Sequence, residues 1–259
     1  MKMILMAGAA ALATAAATVP AFAAGQASSA GSGAVPNNVL LTKWTGPYEG
    51  VPPWDQVKPE LFDEAIQFAI DEQKREVEAI INNPDEPSFV NTIEAGQKLG
   101  SRLDNVLSVF AVMTDNMSTP AYVELDKKWS PKLSAAFDEI TLNPKLFQRV
   151  ETLYNKRNSL GLDAKQTRLL TRLYESFVRN GANLDPAQKA QLTQINQQLS
   201  TNFAEFNSRL LADEGTFTQA TEAEKAGVQQ DVKDAAAAVA KAKGLPAGTY
   251  AIRNTRSAV

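Results

Sequence analysis

The 259-residue sequence contains neither histidine nor cysteine. Without histidine there is no Ser-His-Asp or Cys-His nucleophilic pair and no imidazole to move protons; without either residue, zinc loses its usual ligands. Any metal would have to be held by carboxylates alone. The missing thiols also remove disulfides and redox chemistry, although they leave the compartment open. No excess of positive charge is present: 26 Lys and Arg stand against 29 Asp and Glu, so nothing is available to neutralise a nucleic-acid backbone. A Gly-Lys pair is absent, which excludes a phosphate-cradling loop, and no serine is followed three residues later by lysine. What remains is a chain that is 44% hydrophobic and 21% charged, enough apolar material for a buried core.

The N-terminus reads as a secretory leader over residues 1–23. Lys2 supplies the positive start, an Ala-rich apolar stretch follows to Val19, and Ala21-Phe22-Ala23 is a small-x-small site for cleavage after Ala23. The apolar run is too short and too weakly hydrophobic for a membrane anchor, which needs about 20 apolar residues. Cleavage would leave 25 basic against 29 acidic residues, a net charge of −4, and an exported, periplasmic protein with no membrane attachment. Residues 24–39, including GQASSAGSGAVPNN, are small and polar and read as a flexible linker. Residues 40–259 form the folded region.

That region reads as successive amphipathic helices. A stripe of Phe62, Ile66, Ala69, Ile70, Val77, Ile80 and Ile81 recurs every three to four residues over 59–82. Ile93, Leu99, Leu103, Val106, Leu107, Phe110 and Met113 form a second stripe, with Asn91 as N-cap and Glu94 completing a capping box. Leu125, Trp129, Leu133, Phe137 and Ile140 give a third, which Pro131 should kink or split. Asn143-Pro144 opens a fourth helix, carrying Leu146, Phe147, Val150, Leu153 and Tyr154 and ending at Gly161. Asp163 with Gln166 caps a fifth, striped by Leu169, Leu170, Leu173, Tyr174 and Phe177 and stopped near Gly181. Asp185-Pro186 with Gln188 starts what should be the longest helix, whose stripe of Leu192, Ile195, Leu199, Phe203, Phe206 and Leu210 reads as core. Thr221 with Glu224 opens a last helix running to Gly244. Only residues 248–255 (GTYAIRNT) could pair as a strand. The predicted class is all-α: an irregular multi-helix array with at most a short strand near the C-terminus.

Chemistry-bearing clusters are few. Asp85-Glu86 and Asp213-Glu214 are adjacent acids, but neighbours in a helix or turn point apart and read as solvated or capping residues. Arg253 and Arg256 could hold an anionic group, and otherwise read as a solvated tail.

Five stretches carry a resemblance: WTGPYEGVPPWDQVKPELF (44–62), NNPDEPSFVNTIEA (82–95), LGLDAKQTRLLTRLYESFVRNGANLD (160–185), INQQLSTNFAEFNSRLLADE (195–214) and NTRSAV (254–259). In order and spacing they resemble the N-terminal half of the zinc oligopeptidases, the family of peptidyl-dipeptidase Dcp, oligopeptidase A and thimet oligopeptidase, and most of all the Dcp branch. The resemblance implies a largely helical, two-lobed metallopeptidase that trims short peptides, with Dcp-type members releasing C-terminal dipeptides. In that family a His-Glu-x-x-His helix and a downstream Glu hold zinc, and the helix Glu acts as base toward the zinc-bound water. No position here matches that motif. The sequence therefore assigns no catalytic, cofactor-binding or metal-ligating residue to this chain, and the expected partners are a catalytic lobe beyond these residues and, through it, short peptides. The alternative is a stand-alone helical module that binds peptides or a protein without catalysis. In a fragment of such an enzyme, helices that face the missing lobe should expose their apolar stripes. The last helix and the tail from Gly244 are the expected place, with stability falling after about Asp213.

Overall fold

In a computed structural model, residues 34–45 and 50–255 are described. The leader, its cleavage site, most of the linker and Arg256 lie outside them. The described chain is mostly α-helical, with one two-stranded ribbon.

Asn38, placed by composition at the end of the linker, is already part of the folded body. It is buried, its amide donates to the Leu61 carbonyl and to Glu64 Oε2, and its own Oδ1 accepts from the Leu40 N–H. These bonds seat Leu40 and Leu41 in the core. After two 3₁₀ turns, Trp54–Gln56 and Pro59–Leu61, helix α1 runs Phe62–Ile81. Its apolar stripe meets α2, Ser101–Asp115, and α3, Pro120–Thr141. Phe62 sits at the centre, in edge and tilted contact with Tyr122 and Phe110 at 5.9 and 5.2 Å between ring centres. Polar bonds fix α1 and α3 in register: Asp63 accepts from Trp129 Nε1 and from Lys128 Nζ, each at 2.7 Å.

A second cluster forms where α4, Pro144–Lys156, packs on α5, Ala164–Arg179, around Val150, Leu153, Leu170 and Ile93. Tyr154 and Tyr174 stack in this layer with centroids 3.9 Å apart. Asn143 caps α4 and Asp163 with Gln166 boxes α5, as the sequence predicts. Helix α4 ends at Lys156, however, and a run of turns separates it from Gly161, which takes a left-handed φ of 64°.

The second predicted helix is not one element. Its capping box lies three residues earlier than predicted: Ser88 is the N-cap, its Oγ accepting from the Asn91 N–H while Asn91 Oδ1 accepts from the Ser88 N–H. The turn it opens, Phe89–Glu94, is a wide π-turn. Gly100, at φ 70°, then breaks the path, its N–H donating to Glu76 Oε2 on α1, and α2 starts at Ser101. A Cβ at Gly100 would meet the Gln73 side chain, which would have to shift, and the left-handed φ itself favours glycine there. Ile93 and Leu103 consequently enter different clusters.

Helix α3 is not split by Pro131 and runs unbroken for 22 residues. Packing against α1 on one side and α6 on the other outweighs the one helical bond that proline removes. Helix α6, Pro186–Glu214, is the longest at 29 residues, about 43 Å, and the Asp185–Gln188 box starts it as predicted. Beyond it, strand β1, Phe217–Ala220, pairs antiparallel with β2, Tyr250–Arg253. β2 falls within the predicted stretch, whereas β1 carries no alternation that would announce it. Between them, Thr221 and Glu224 do bond to each other, but they close only a 3₁₀ turn, Ala223–Lys225. Gly227, at φ 84°, interrupts the chain, so the last helix, α7, spans only Gln230–Ala242 and lies on β2.

Candidate functional site

The predicted chemistry candidates are not brought together. Asp85 acts through its backbone carbonyl, which accepts from Arg149, and its side chain and that of Glu86 face solvent. Asp213 closes the end of α6, accepting from Asn254 Nδ2 at 2.6 Å. Arg253 is exposed at the ribbon end opposite Phe217. The zinc that the resemblance implies does not fit these residues: with no His or Cys in the chain, the remaining donors are carboxylates, and among the described residues no group of three or more is placed to hold a metal ion.

Arg149 was not singled out in the sequence, where it is one arginine among many. It is buried, with no carboxylate partner among the described residues, and neutral acceptors take up its guanidinium: Thr92 Oγ1 at 3.2 Å, Asn91 Oδ1 at 3.1 Å and the carbonyls of Asn83 and Asp85 at 3.2 and 3.4 Å. From α4 it ties down the connection between α1 and α2. Its donors are engaged, so its role is structural.

The most distinctive surface lies on α6. The side of this helix turned toward α3 is small and polar. Asn196 donates to both oxygens of Asp138 at 2.9 and 3.1 Å, Lys189 donates to the Leu142 carbonyl, and Ala204 is the only buried residue of the helix. Burial raises the Asp138 carboxyl pKa above its ordinary value, against the opposing pull of its bonds from Asn196 and Thr193. An open groove of about 440 Å³ runs along this seam, lined by Pro131 and by Gln194, Gln197, Gln198, Thr201 and Asn202, none of them titratable.

At 3.6 residues per turn, the centre of the predicted apolar stripe lies about 90° around the helix from that seam. Ile195, Leu199, Phe203, Phe206 and Leu210 are 44, 47, 54, 61 and 44% exposed. Phe203 and Phe206 are therefore not core residues, unlike Tyr174 and Phe177 of the shorter α5. This correction also relocates the expected bare face. α7 exposes Val232 but turns Ala236 and Ala240 inward, so the larger apolar face belongs to α6. A sequence signal was present: from Pro186 to Ala204 the only charged residue is Lys189. Charge depletion of that kind marks the centre of interfaces rather than free surface.

Comparison with known proteins indicates the class to which this helical array is similar. No protein-family model matches the chain. It is 35% identical over 210 residues to the dipeptidyl carboxypeptidases of Salmonella typhimurium and of Escherichia coli, the match covering 80% of this chain and 31% of each relative. By sequence the chain is similar to one part of these dipeptidyl carboxypeptidases, and it spans about a third of their length.

Proposed function

We propose that this chain supplies a helical, non-catalytic portion of an exported zinc metallopeptidase that releases C-terminal dipeptides from short peptides. The carrying observation is the 35% identity over 210 residues to dipeptidyl carboxypeptidases, joined to the absence of histidine. Zinc, the base and the peptide-cleaving groups come from polypeptide outside these residues, while this portion supplies a rigid scaffold beside it. Residues 1–23 direct export and are removed after Ala23, which places the mature protein in the periplasm. Among the described residues no helix is long and apolar enough to cross a membrane.

The test has two halves. The purified chain, incubated with short peptides of free C-terminus, is expected to release no dipeptide. Chelator-sensitive hydrolysis by this chain would refute the assignment. A chimera in which residues 38–253 replace the matched third of the E. coli relative is expected to release dipeptides, and an inactive chimera beside an active parent would count against it. The mature N-terminus, read by mass spectrometry from exported protein, is expected at Ala24.

A further inference from the structure

We propose that the outward face of α6, centred on Phe203 and Phe206, is the docking seam for the catalytic portion of the same peptidase; this rests on the reading above and names the partner surface. Five large apolar side chains in one row, all 44% exposed or more, exceed what a free helix surface carries without a partner. The row is straight, running about 22 Å from Ile195 to Leu210, and convex. A convex face cannot enclose a small molecule or an extended peptide, both of which need a cleft, but it fits between helices of a packed lobe. Lipid is a poor occupant. A helix lying on a membrane is rich in Lys and Arg on its polar side, whereas α6 has Lys189 and Arg209 against Glu205, Asp213 and Glu214.

Two observations favour a large lobe over a second copy of α6. The deficit in burial is not confined to the stripe: Leu211 beyond it, and Val228 and Val232 around the start of α7, are also 36–42% exposed. One copied helix would cover the stripe and leave these bare. The relatives also contain about twice as much further polypeptide, since the match covers only 31% of each.

The absence of cysteine from this chain provides the test. Phe203→Cys and Glu205→Cys are made separately, the second lying on α6 away from both the stripe and the α3 seam. Their maleimide labelling rates are read by peptide mass spectrometry in the isolated chain and in the full-length chimera. The expected result is fast labelling of both in the isolated chain, at least 100-fold protection of residue 203 in the chimera, and no protection of residue 205. Equal reactivity at 203 in an active chimera overturns the docking proposal and leaves the functional reading standing. Protection at 203 in an inactive chimera upholds the docking and removes the functional reading; reactivity at 203 in an inactive one removes both. Concentration-dependent protection of 203 in the isolated chain means that a second copy is the occupant, which also overturns it. If the chimera does not fold, the same pair of cysteines goes into the full-length E. coli relative at the aligned positions, where a reactive cysteine at the first is equally fatal.

Discussion

Residues up to 182 and residues from 186 onward are both mostly helical, yet they bury different things. The first part closes over Phe62, Ile66, Leu103, Phe110, Trp129, Leu153 and Leu170, side chains that each contribute about 1.5–3 kcal/mol when fully buried. In the second part, the fully covered apolar residues are alanines: Ala204, Ala220, Ala236, Ala240 and Ala251. Ile195, Leu199, Phe203, Phe206, Leu210 and Leu211, by contrast, face outward. Amphipathic periodicity thus specifies that a helix has an apolar face, and says nothing about whether this chain contains what covers it.

Polar bonding replaces bulk in the second part. Lys225, itself buried, reaches Glu222 at 2.8 Å with its ammonium over the Tyr250 ring, and the Tyr250 hydroxyl donates to the same Glu222 carboxylate. These bonds lower the Glu222 carboxyl pKa, led by the one from Lys225. They close the ribbon onto its own connecting turn without forming an apolar centre.

The contrast can be broken most strongly in the first part. Phe62→Ala is expected to cost about 3–5 kcal/mol in urea unfolding, because α1, α2 and α3 all close on that ring. Next comes Arg149→Met, which leaves the Asn83 and Asp85 carbonyls without their arginine donor and takes one of several donors from Asn91 Oδ1; it should cost about 2–3 kcal/mol, whereas Arg209→Met on exposed α6 should change stability by less than about 0.5 kcal/mol.

Two carboxylates sharpen the comparison through pH. Asp63, inside the first part, has a lowered pKa, mainly through its bond from Lys128. Its stabilisation is present above the ordinary carboxylate range and is lost as the pH falls through the lowered value. Asp138, on the seam, has the opposite sign: the folded state holds its proton more tightly, so stability falls as the pH rises through the raised value and the penalty persists above it. Asp138→Asn keeps an acceptor for Asn196 and is expected to be equal or more stable at pH 7, by less than about 1 kcal/mol. Asp63→Asn is expected to be less stable there, and thermal melts between pH 3 and 7 separate the two. The smallest effect is expected from Phe206→Ser, which should leave stability within about 0.5 kcal/mol while lowering light scattering of concentrated chain.

Much of the fold was legible in the sequence because its signals were local. The boxes at Asp163–Gln166 and Asp185–Gln188, the Asn143 cap and the stripe of α1 each depend on residues within two turns. The failures involve distant residues. Asn91 reads as an N-cap, yet its carboxamide oxygen closes the box opened by Ser88 and accepts from Arg149, 58 positions away. Gly100 breaks the second helix in concert with Gln73 and Glu76 of α1, and β1 is a strand only because β2 lies beside it. Of the candidate surface, the apolar row was visible and its outward direction was not, since only the polar bonds of Asn196 and Lys189 to α3 set the rotation of α6.

The alanine-built end of the molecule has a consequence for how long the protein survives. Local opening there breaks two four-residue strands and little apolar contact, so β1, α7 and β2 should open far more often than the layers around Phe62. Where opening is faster than cleavage, digestion tracks the population of open molecules. Exposed to a protease, a copy of this chain without a covering partner would be cut first within β1, α7 or β2, making its lifetime a measure of whether assembly has taken place.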